Sequence, residues 1–327
     1  MENITYREAL RRGIWEEMEK DPNVLMYGED VALIGGTYGV SKDMLEHFGP
    51  ERILDTPLVE TAIVGTTAGA AMTGLRPIGE IMFIDFLMMT MDQLANQAAK
   101  WNYMTGGQVN VPMVIRTTTG TGRRVAAQHS QSLEAVVAHF PGLKVVMPST
   151  PYDAKGLIKA SIRDDNPVVF IEHKLLYNET GDVPKEEYLI PLGKADIKRE
   201  GTDCTVVATS RMVHFALDAA EKLAAEGISA EVVDPRTIRP LDMKTIIGSV
   251  KKTNHLVIVH EACRFGGIGA EIAAEVAEQA MLDLDGPIIR LAGKDAPVPF
   301  SPHLEDASIP SVSEIVASVK TVVGGGN

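Results

Sequence analysis

Short apolar runs rich in β-branched residues alternate with longer amphipathic stretches along the first half of the chain. The runs "VPMVIRT", "LKVVMPS" and "NPVVFIEHK" predict strands, and residues 84–104 predict one long helix. Thr5 and Glu8 form a capping box that begins a first helix, which is expected to end near Lys20. Because strands this apolar are buried on both faces, they indicate a parallel sheet that is covered by helices.

Residues 177–202 interrupt this alternation. The stretch is polar, contains proline and glycine, and has no helical periodicity, so we expect an interdomain connection there. The alternation then restarts and continues to the frayed end expected for "GGGN". The pattern predicts an α/β fold with two three-layer α/β/α domains, residues 1–176 and a smaller domain of residues 203–327.

Composition narrows the class of protein further. The 327 residues carry a formal net charge of -13, which disfavours binding to nucleic acid or to an anionic membrane surface. No run of 18 apolar residues is present, so no membrane span is predicted. Cys204 and Cys263 are far apart in sequence and form no CxxC pair, which suits a reducing cytoplasm.

A single carboxylate stands at the head of a helix made of small and aliphatic residues, "ETAIVGTTAGAAMT", which is predicted over residues 60–73 and closed by Gly74. Glu60 opens this helix, and Gly65 and Gly69 lie four residues apart on one of its faces. Such a face would let another helix approach closely, as at a subunit contact. A tightly packed internal helix, with Glu60 favoured by the helix dipole, explains the pattern equally well.

The stretch "FGGIGAEIAAEV" is similar to a dinucleotide-binding loop, because it follows the predicted strand "HLVIVHE" and opens a helix. However, Ile272 stands where the third small residue of that motif belongs. A glycine turn between strand and helix is therefore the favoured interpretation. A nicotinamide-dependent oxidoreductase that uses this turn stays an alternative.

Longer motifs point to one family. The segments "GEIMFIDFLMMTMDQLANQAAKWNYMTGG", "VAAQHSQSLEAVVAHFPGLKVVMPSTPYDAKGLI" and "SIRDDNPVVFIEHK" resemble the β subunit of the first component of 2-oxo acid and acetoin dehydrogenase complexes. The resemblance covers essentially the whole chain. It implies a transketolase-like pyrimidine-binding domain, then a transketolase C-terminal-like domain, in an oxidoreductase that depends on thiamine diphosphate and uses lipoamide as acceptor.

The resemblance also gives the residues at the head of the glycine helix a role. In the family, the glutamate that matches Glu60 hydrogen-bonds the cofactor's aminopyrimidine and favours its imino tautomer, which then takes the proton from the thiazolium carbon. Family positions that line the pyrimidine ring correspond to Leu58, Met82 and Phe86. Glu29 in "YGED" is a further candidate, for a buried acidic relay, although it could equally be a charge at a strand end.

His129 in "AAQHSQS" is the second catalytic candidate. It lies in a polar segment between a predicted strand and a helix that starts near Ser132, where α/β proteins place ligand contacts. In the family, the matching histidine faces the active-site channel and is implicated in acyl transfer to lipoamide. The alternative is a histidine that only orders its turn.

A motif that the family's partner subunit carries is missing from this sequence. No Gly-Asp-Gly is present, although the family binds the cofactor's diphosphate and Mg²⁺ through that motif. The resemblance therefore implies half an active site, completed by an α subunit in an α2β2 assembly that serves a lipoyl acyltransferase core. Some relatives also bind K⁺ through mostly backbone ligands, which here correspond to Met113, Ser161, Ile162, Asp164 and Asn166.

The substrate follows less directly from the sequence. The segments "RTTTGTGRRVAAQHSQS" and "YNETGDVP" look more like those of acetoin dehydrogenases than those of pyruvate dehydrogenases. Acetoin is therefore the first expectation, with pyruvate and branched-chain 2-oxo acids as alternatives. A non-catalytic assembly subunit is a further alternative, which the complete Glu60 pattern disfavours.

Overall fold

The computed structural model describes residues 1–324, so the final residues of "GGGN" lie outside the described part of the chain. The chain forms two compact units. The first contains residues 1–119 and 136–192, and the second contains residues 120–135 and the chain from residue 193 onwards. The division after residue 192 falls inside the predicted connection, 177–202, but the assignment of residues 120–135 to the second unit was not predicted.

The elements before residue 193 follow the predicted alternation of strands and helices. The strands are β1 (Glu2–Thr5), β2 (Val24–Gly28), β3 (Ile53–Asp55), β4 (Arg76–Ile81), β5 (Val114–Thr119), β6 (Lys144–Val146), β7 (Val168–His173) and β8 (Thr180–Val183). The helices are α1 (Tyr6–Lys20), α2 (Met44–Phe48), α3 (Glu60–Met72), α4 (Ala99–Met104), α5 (Glu134–Ala138) and α6 (Pro151–Arg163), with short 3₁₀ and π segments described below.

Six strands of the first unit form a parallel sheet in the order β6-β7-β5-β4-β2-β3. Every residue of β5 and β7 is buried, as expected for strands covered on both faces. The core beside them includes Leu10 and Ile14 of α1, Met26 of β2 and Phe170 of β7. Strands β1 and β8 pair separately as an antiparallel ribbon, so the predicted connection, 177–202, contains regular structure.

The predicted ends of α1 and the predicted start of α3 agree with the structure. The Thr5 hydroxyl accepts the Glu8 N–H at 3.2 Å, and α1 ends at Lys20. Helix α3 begins at Glu60, and Gly74 follows its end with a φ of +101°, a conformation that glycine adopts without strain. These two predictions are confirmed.

The predicted helix over residues 84–104 is not one α-helix. A 3₁₀ helix spans Ile84–Thr90, a π-helix spans Asp92–Ala98, and α4 completes the path. Hydrophobic periodicity indicates a helical path but does not separate 3.0 from 3.6 residues per turn over so few turns. Single-turn π segments occur frequently at functional sites, and this one lies beside α3.

The second unit contains a smaller sheet. The strands of the second unit are β9 (Asp196–Arg199), β10 (Cys204–Ala208), β11 (Ala230–Asp234), β12 (Thr237–Arg239), β13 (Leu256–Cys263) and β14 (Ile289–Gly293), and all but β12 belong to this sheet. Its helices are α7 (Met212–Ala224), α8 (Met243–Thr253), α9 (Ile268–Ala280), α10 (Pro302–Asp306) and α11 (Val312–Val323). The sheet order is β14-β13-β10-β11-β9, in which only β9 runs antiparallel.

Apolar residues of α7 and α11 cover this second sheet, with Val213, Leu223 and Val319 in the shared core. This arrangement supports an α/β fold in the second unit. Across residues 1–324, none of the helices combines the length and apolar character that a membrane crossing requires.

A buried ion network ties three neighbouring strands of the first sheet together. Arg116 on β5 donates to both carboxylate oxygens of Glu172 on β7 at 2.7 Å, and to Glu80 on β4 at 2.5 Å. The Tyr177 hydroxyl donates to Glu172 at 2.5 Å. Arg116 and Glu172 have almost no exposed surface, so each charge depends on the others for compensation.

We expect Arg116→Ala to lower the free energy of unfolding by about 3–5 kcal/mol, because it leaves two carboxylates buried without a cation. The matched control is Arg12→Ala, which removes a half-exposed arginine that pairs with Glu2 and Glu8. The control should cost only about 0–1 kcal/mol. Urea unfolding measures both, and equal midpoints for the two variants would contradict the proposed importance of the network.

Candidate active site

The carboxyl ends of the parallel strands in the first unit meet at one edge of the sheet, which is where α/β proteins bind ligands. Glu29 directly follows β2, Asp55 ends β3, and Met82 directly follows β4. The Asp55 carboxylate accepts the N–H of Ala32 at 2.6 Å and that of Leu33 at 3.3 Å, which orders the chain after β2. Glu60 lies a few residues beyond the end of β3.

The negative charges of two glutamates interact at this edge. Glu60 is half-buried as the first residue of α3. Glu29 is only 5% exposed, and its Oε1 has no hydrogen-bond partner among the described residues. Burial raises the pKa of the Glu29 carboxyl to about 7, and the negative charges of Glu60, Asp30 and Glu80 add to the rise. Glu29 therefore changes its protonation near neutral pH, beside Glu60.

Glu80 is an acidic neighbour that the sequence interpretation missed. It connects the edge to the buried network, because its carboxylate also pairs with Arg116. A signal was present in the sequence, since Glu80, Arg116 and Glu172 are charged residues within segments that read as buried strands. Charged residues are almost never fully buried unless they are paired.

The three predicted ring-lining residues differ in exposure. Leu58 is 77% exposed, whereas Met82 and Phe86 are half-buried. The Thr118 hydroxyl donates to the Met82 carbonyl at 2.5 Å, and the Phe86 ring packs edge-on against Phe83, with centroids 6.0 Å apart. Met82 and Phe86 thus have fixed places, while Leu58 projects from the surface of this chain.

Helix α3 packs on one face and leaves the other open. Ile63, Val64 and Thr67 are buried, whereas the face that carries the glycines is exposed at Gly69. A Cβ added at Gly69 would meet no atom within 4 Å, and one at Gly65 would contact only Gln93, at 3.4 Å. No helix of the described residues packs closely against this glycine face. The open face favours a subunit contact over a tightly packed internal helix.

His129 is half-buried in the segment between β5 and α5, residues 120–133, which belongs to the second unit. Its backbone N–H donates to the Ala126 carbonyl at 3.4 Å. The helix after it begins at Glu134, close to the predicted start near Ser132. The prediction that His129 lies in a polar segment between a strand and a helix is therefore confirmed, and its chemical role stays a prediction.

The carbonyl groups predicted to bind potassium already accept hydrogen bonds. Arg76 donates to the carbonyls of Ile162 and Asp164 at 2.8 and 2.9 Å, and the Asp164 carboxylate pairs with Lys144. The other carbonyls accept from backbone N–H groups at 2.9 Å for Met113 and 3.3 Å for Ser161. The Asn166 amide groups donate to Asp164 Oδ1. A potassium ion would share the carbonyls of Ile162 and Asp164 with the Arg76 guanidinium. Its binding stays a prediction.

The glycine turn that is similar to a dinucleotide loop accommodates a histidine ring. A Cβ added at Gly267 or Gly269 would lie 2.6 or 2.7 Å from the imidazole of His260, which is fully buried on β13. Burial lowers the pKa of His260 to about 4, so the ring is neutral at physiological pH. These glycines have a packing reason, which supports the favoured interpretation of a structural turn.

Comparison with known proteins agrees with this architecture. Residues 2–180 match the family described as "Transketolase, pyrimidine binding domain", and residues 193–315 match "Transketolase, C-terminal domain". A solved structure described as "Split gene transketolase, inactive beta4 tetramer" has the same fold, with a TM-score of 0.81, 23% identity and 99% of both chains covered. Two transketolase-type domains therefore define the class of protein.

Closer relatives narrow this class. The chain is 50% identical over 319 residues to the pyruvate dehydrogenase E1 component subunit beta of Rickettsia conorii, covering 98% of both chains. It is 48% identical over 333 residues to the acetoin:2,6-dichlorophenolindophenol oxidoreductase subunit beta of Cupriavidus necator, covering 99% of this chain and 98% of the relative. The chain belongs to the family of β subunits of the first component of 2-oxo acid and acetoin dehydrogenases.

Proposed function

We propose that this chain is the β subunit of a cytoplasmic, thiamine-diphosphate-dependent enzyme that cleaves acetoin and transfers the acyl group to lipoamide of an acyltransferase core. Pyruvate or a branched-chain 2-oxo acid is the alternative substrate. The observation that carries the proposal is the placement of Glu60 at the head of α3, beside the buried Glu29, at the carboxyl edge of the sheet. Family membership supports the same assignment.

The residues at this edge fit the pyrimidine half of the cofactor. When bound, thiamine diphosphate supplies the carbon nucleophile and the electron sink. Glu60 would hold a ring nitrogen by a hydrogen bond, and that bond would be strongest with water excluded. Met82 and Phe86 supply an apolar wall for a flat ring, and Leu58 would complete it from the surface of the chain. The uncompensated Oε1 of Glu29 offers a second acceptor for protons at this edge.

We expect a partner subunit to cover this edge. Leu58, Met88 and Met89 are large apolar residues that are 77%, 52% and 56% exposed, and the open glycine face of α3 lies beside them. The Thr61 hydroxyl on α3 donates to the Met89 carbonyl at 3.2 Å, so the two segments form one surface. We propose that an α subunit covers it in an α2β2 enzyme and brings the groups that hold the diphosphate and Mg²⁺.

The substrate proposal is tested with the reconstituted α2β2 enzyme, its acyltransferase core, a dihydrolipoamide dehydrogenase and NAD⁺, so that the reduced lipoamide is reoxidised with formation of NADH. Identity to the two relatives does not choose between substrates, because the values of 50% and 48% are nearly equal. We expect acetoin to give the highest kcat/KM when acetoin, pyruvate and 3-methyl-2-oxobutanoate are compared by NADH formation. A higher kcat/KM for either oxo acid would replace acetoin as the substrate while leaving the family unchanged.

Glu60→Gln should lower turnover of the assembled enzyme by orders of magnitude and leave assembly intact. The amide keeps the shape of the side chain but cannot favour the required tautomer of the pyrimidine as a carboxyl group does. Glu271→Gln is the matched control, because it removes another glutamate from the first turn of a helix, α9. Retention of most of the turnover in Glu60→Gln would mean that Glu60 only complements the dipole of α3, as a subunit without catalytic function would allow.

His129→Ala should separate the two half-reactions. Losing a general acid or base costs about 10²–10⁴-fold in the step that it serves, so NADH production by the full complex should fall by that order. Activity with a small artificial electron acceptor, which bypasses lipoamide, should change much less. His139→Ala, at an exposed histidine, is the control. Equal losses in both assays would place His129 in cofactor binding or the first chemical step, and no loss would leave it only a turn residue.

A further inference from the structure

The segment that carries His129, residues 120–133, is anchored within the second unit. A backbone hydrogen bond joins its two ends, because the Gly120 N–H donates to the Gln131 carbonyl at 3.2 Å. Arg124 and Ala126 lie between these points and have φ angles of 60° and 59°. Left-handed backbone is uncommon at residues other than glycine, and it persists only where neighbouring groups determine it.

Glu261, near the end of β13, provides the first of these neighbouring groups. Its Oε1 accepts the Thr121 N–H at 2.5 Å and the Thr121 hydroxyl at 2.6 Å. Both bonds go to one carboxylate oxygen, a stronger acceptor than a neutral oxygen. Thr121 is itself buried, so these bonds are sheltered from competing water.

Glu305 on α10 provides the second group, and its side chain is fully buried. One carboxylate oxygen accepts the Gly122 N–H at 2.8 Å, and the other accepts Arg124 Nη1 at 2.5 Å. The same guanidinium also donates to Asp306 at 2.8 and 3.1 Å and to the Pro302 carbonyl at 3.0 Å. All three acceptors of the Arg124 guanidinium lie on α10, so the side chain ties the segment to that helix.

We propose that Glu261 and Glu305 are positioning residues for His129. They hold Thr121, Gly122 and Arg124, and thereby fix the path of the chain that leads to the histidine a few residues later. The proposal rests on the proposed function of His129 in acyl transfer. A displacement of about 1 Å can reduce the rate of such a step about 10²-fold, so loosening the segment should impair acyl transfer without altering His129 itself.

The test uses Glu305→Gln in the assembled α2β2 enzyme, because a glutamine can accept only one of the two hydrogen bonds that Glu305 accepts. Glu261→Gln should have a smaller effect, since one oxygen accepts both bonds from Thr121. Glu231→Gln is the matched control, because Glu231 is a buried glutamate of the same unit that accepts the Gly201 N–H and pairs with Lys252. If Glu305→Gln does not assemble, Arg124→Lys replaces it, because a lysine cannot reach Glu305 and Asp306 together in the manner of a guanidinium.

Two measurements are expected to change together. Hydrogen exchange of the 120–131 backbone should accelerate by about tenfold or more in Glu305→Gln, the effect of losing one charge-assisted hydrogen bond. Acylation of a lipoyl domain should slow by roughly 10- to 100-fold through kcat. The rate with the artificial electron acceptor should be preserved, and the control should match the unmodified enzyme in all three assays.

Unchanged exchange over residues 120–131 would overturn the proposal, as would equal acceleration in Glu231→Gln. Faster exchange with normal lipoyl acylation would also overturn it, provided that His129→Ala slows that reaction, because the segment would then be loose without consequence. A His129→Ala variant with normal acylation would refute the proposed function of His129 and the positioning proposal with it. The exchange result would then still show whether the two carboxylates hold the segment.

Discussion

The sheet of the first unit depends on the compensation of one buried positive charge, that of Arg116. Arg116 lies on β5, between β4 and β7, and pairs with Glu80 on β4 and with Glu172 on β7. A shift of β5 by one residue would turn Arg116 toward the other face of the sheet and leave two carboxylates unpaired. The network therefore fixes the register of the strands from which the candidate active site is built.

The register of the strands places their carboxyl ends at one edge of the sheet. The position of the candidate site residues follows from that placement. Glu29 and the residues after β4 lie at this edge because parallel neighbours end there together. Glu80 contributes to both features, since it pairs with Arg116 and its charge also raises the pKa of Glu29. The stability of the sheet and the protonation of the site are thus coupled through one side chain.

The sequence predicted what local patterns determine. Buried parallel strands, the start of α3 at Glu60 and the placement of His129 between a strand and a helix all follow from periodicity and neighbouring residues. Features that need tertiary contacts were not predictable in this way. The pairing of Arg124 with Glu305, 181 residues later, depends on the folded chain, and the burial of Glu29 was suggested by the family resemblance rather than by a local pattern. The 3₁₀ and π segments of residues 84–98 lay beyond the resolution of a hydrophobic pattern.

Residues 120–135 belong to the second unit although they are encoded between two parts of the first. A ribosome therefore releases the Arg124 segment well before it has made Glu305, and the left-handed turns have no carboxylate to hold them during that interval. The segment can reach its final form only after nearly the whole chain has been synthesised. For the same reason, no single cut in the sequence separates the two units, so a simple crossover could not exchange either of them as one continuous segment.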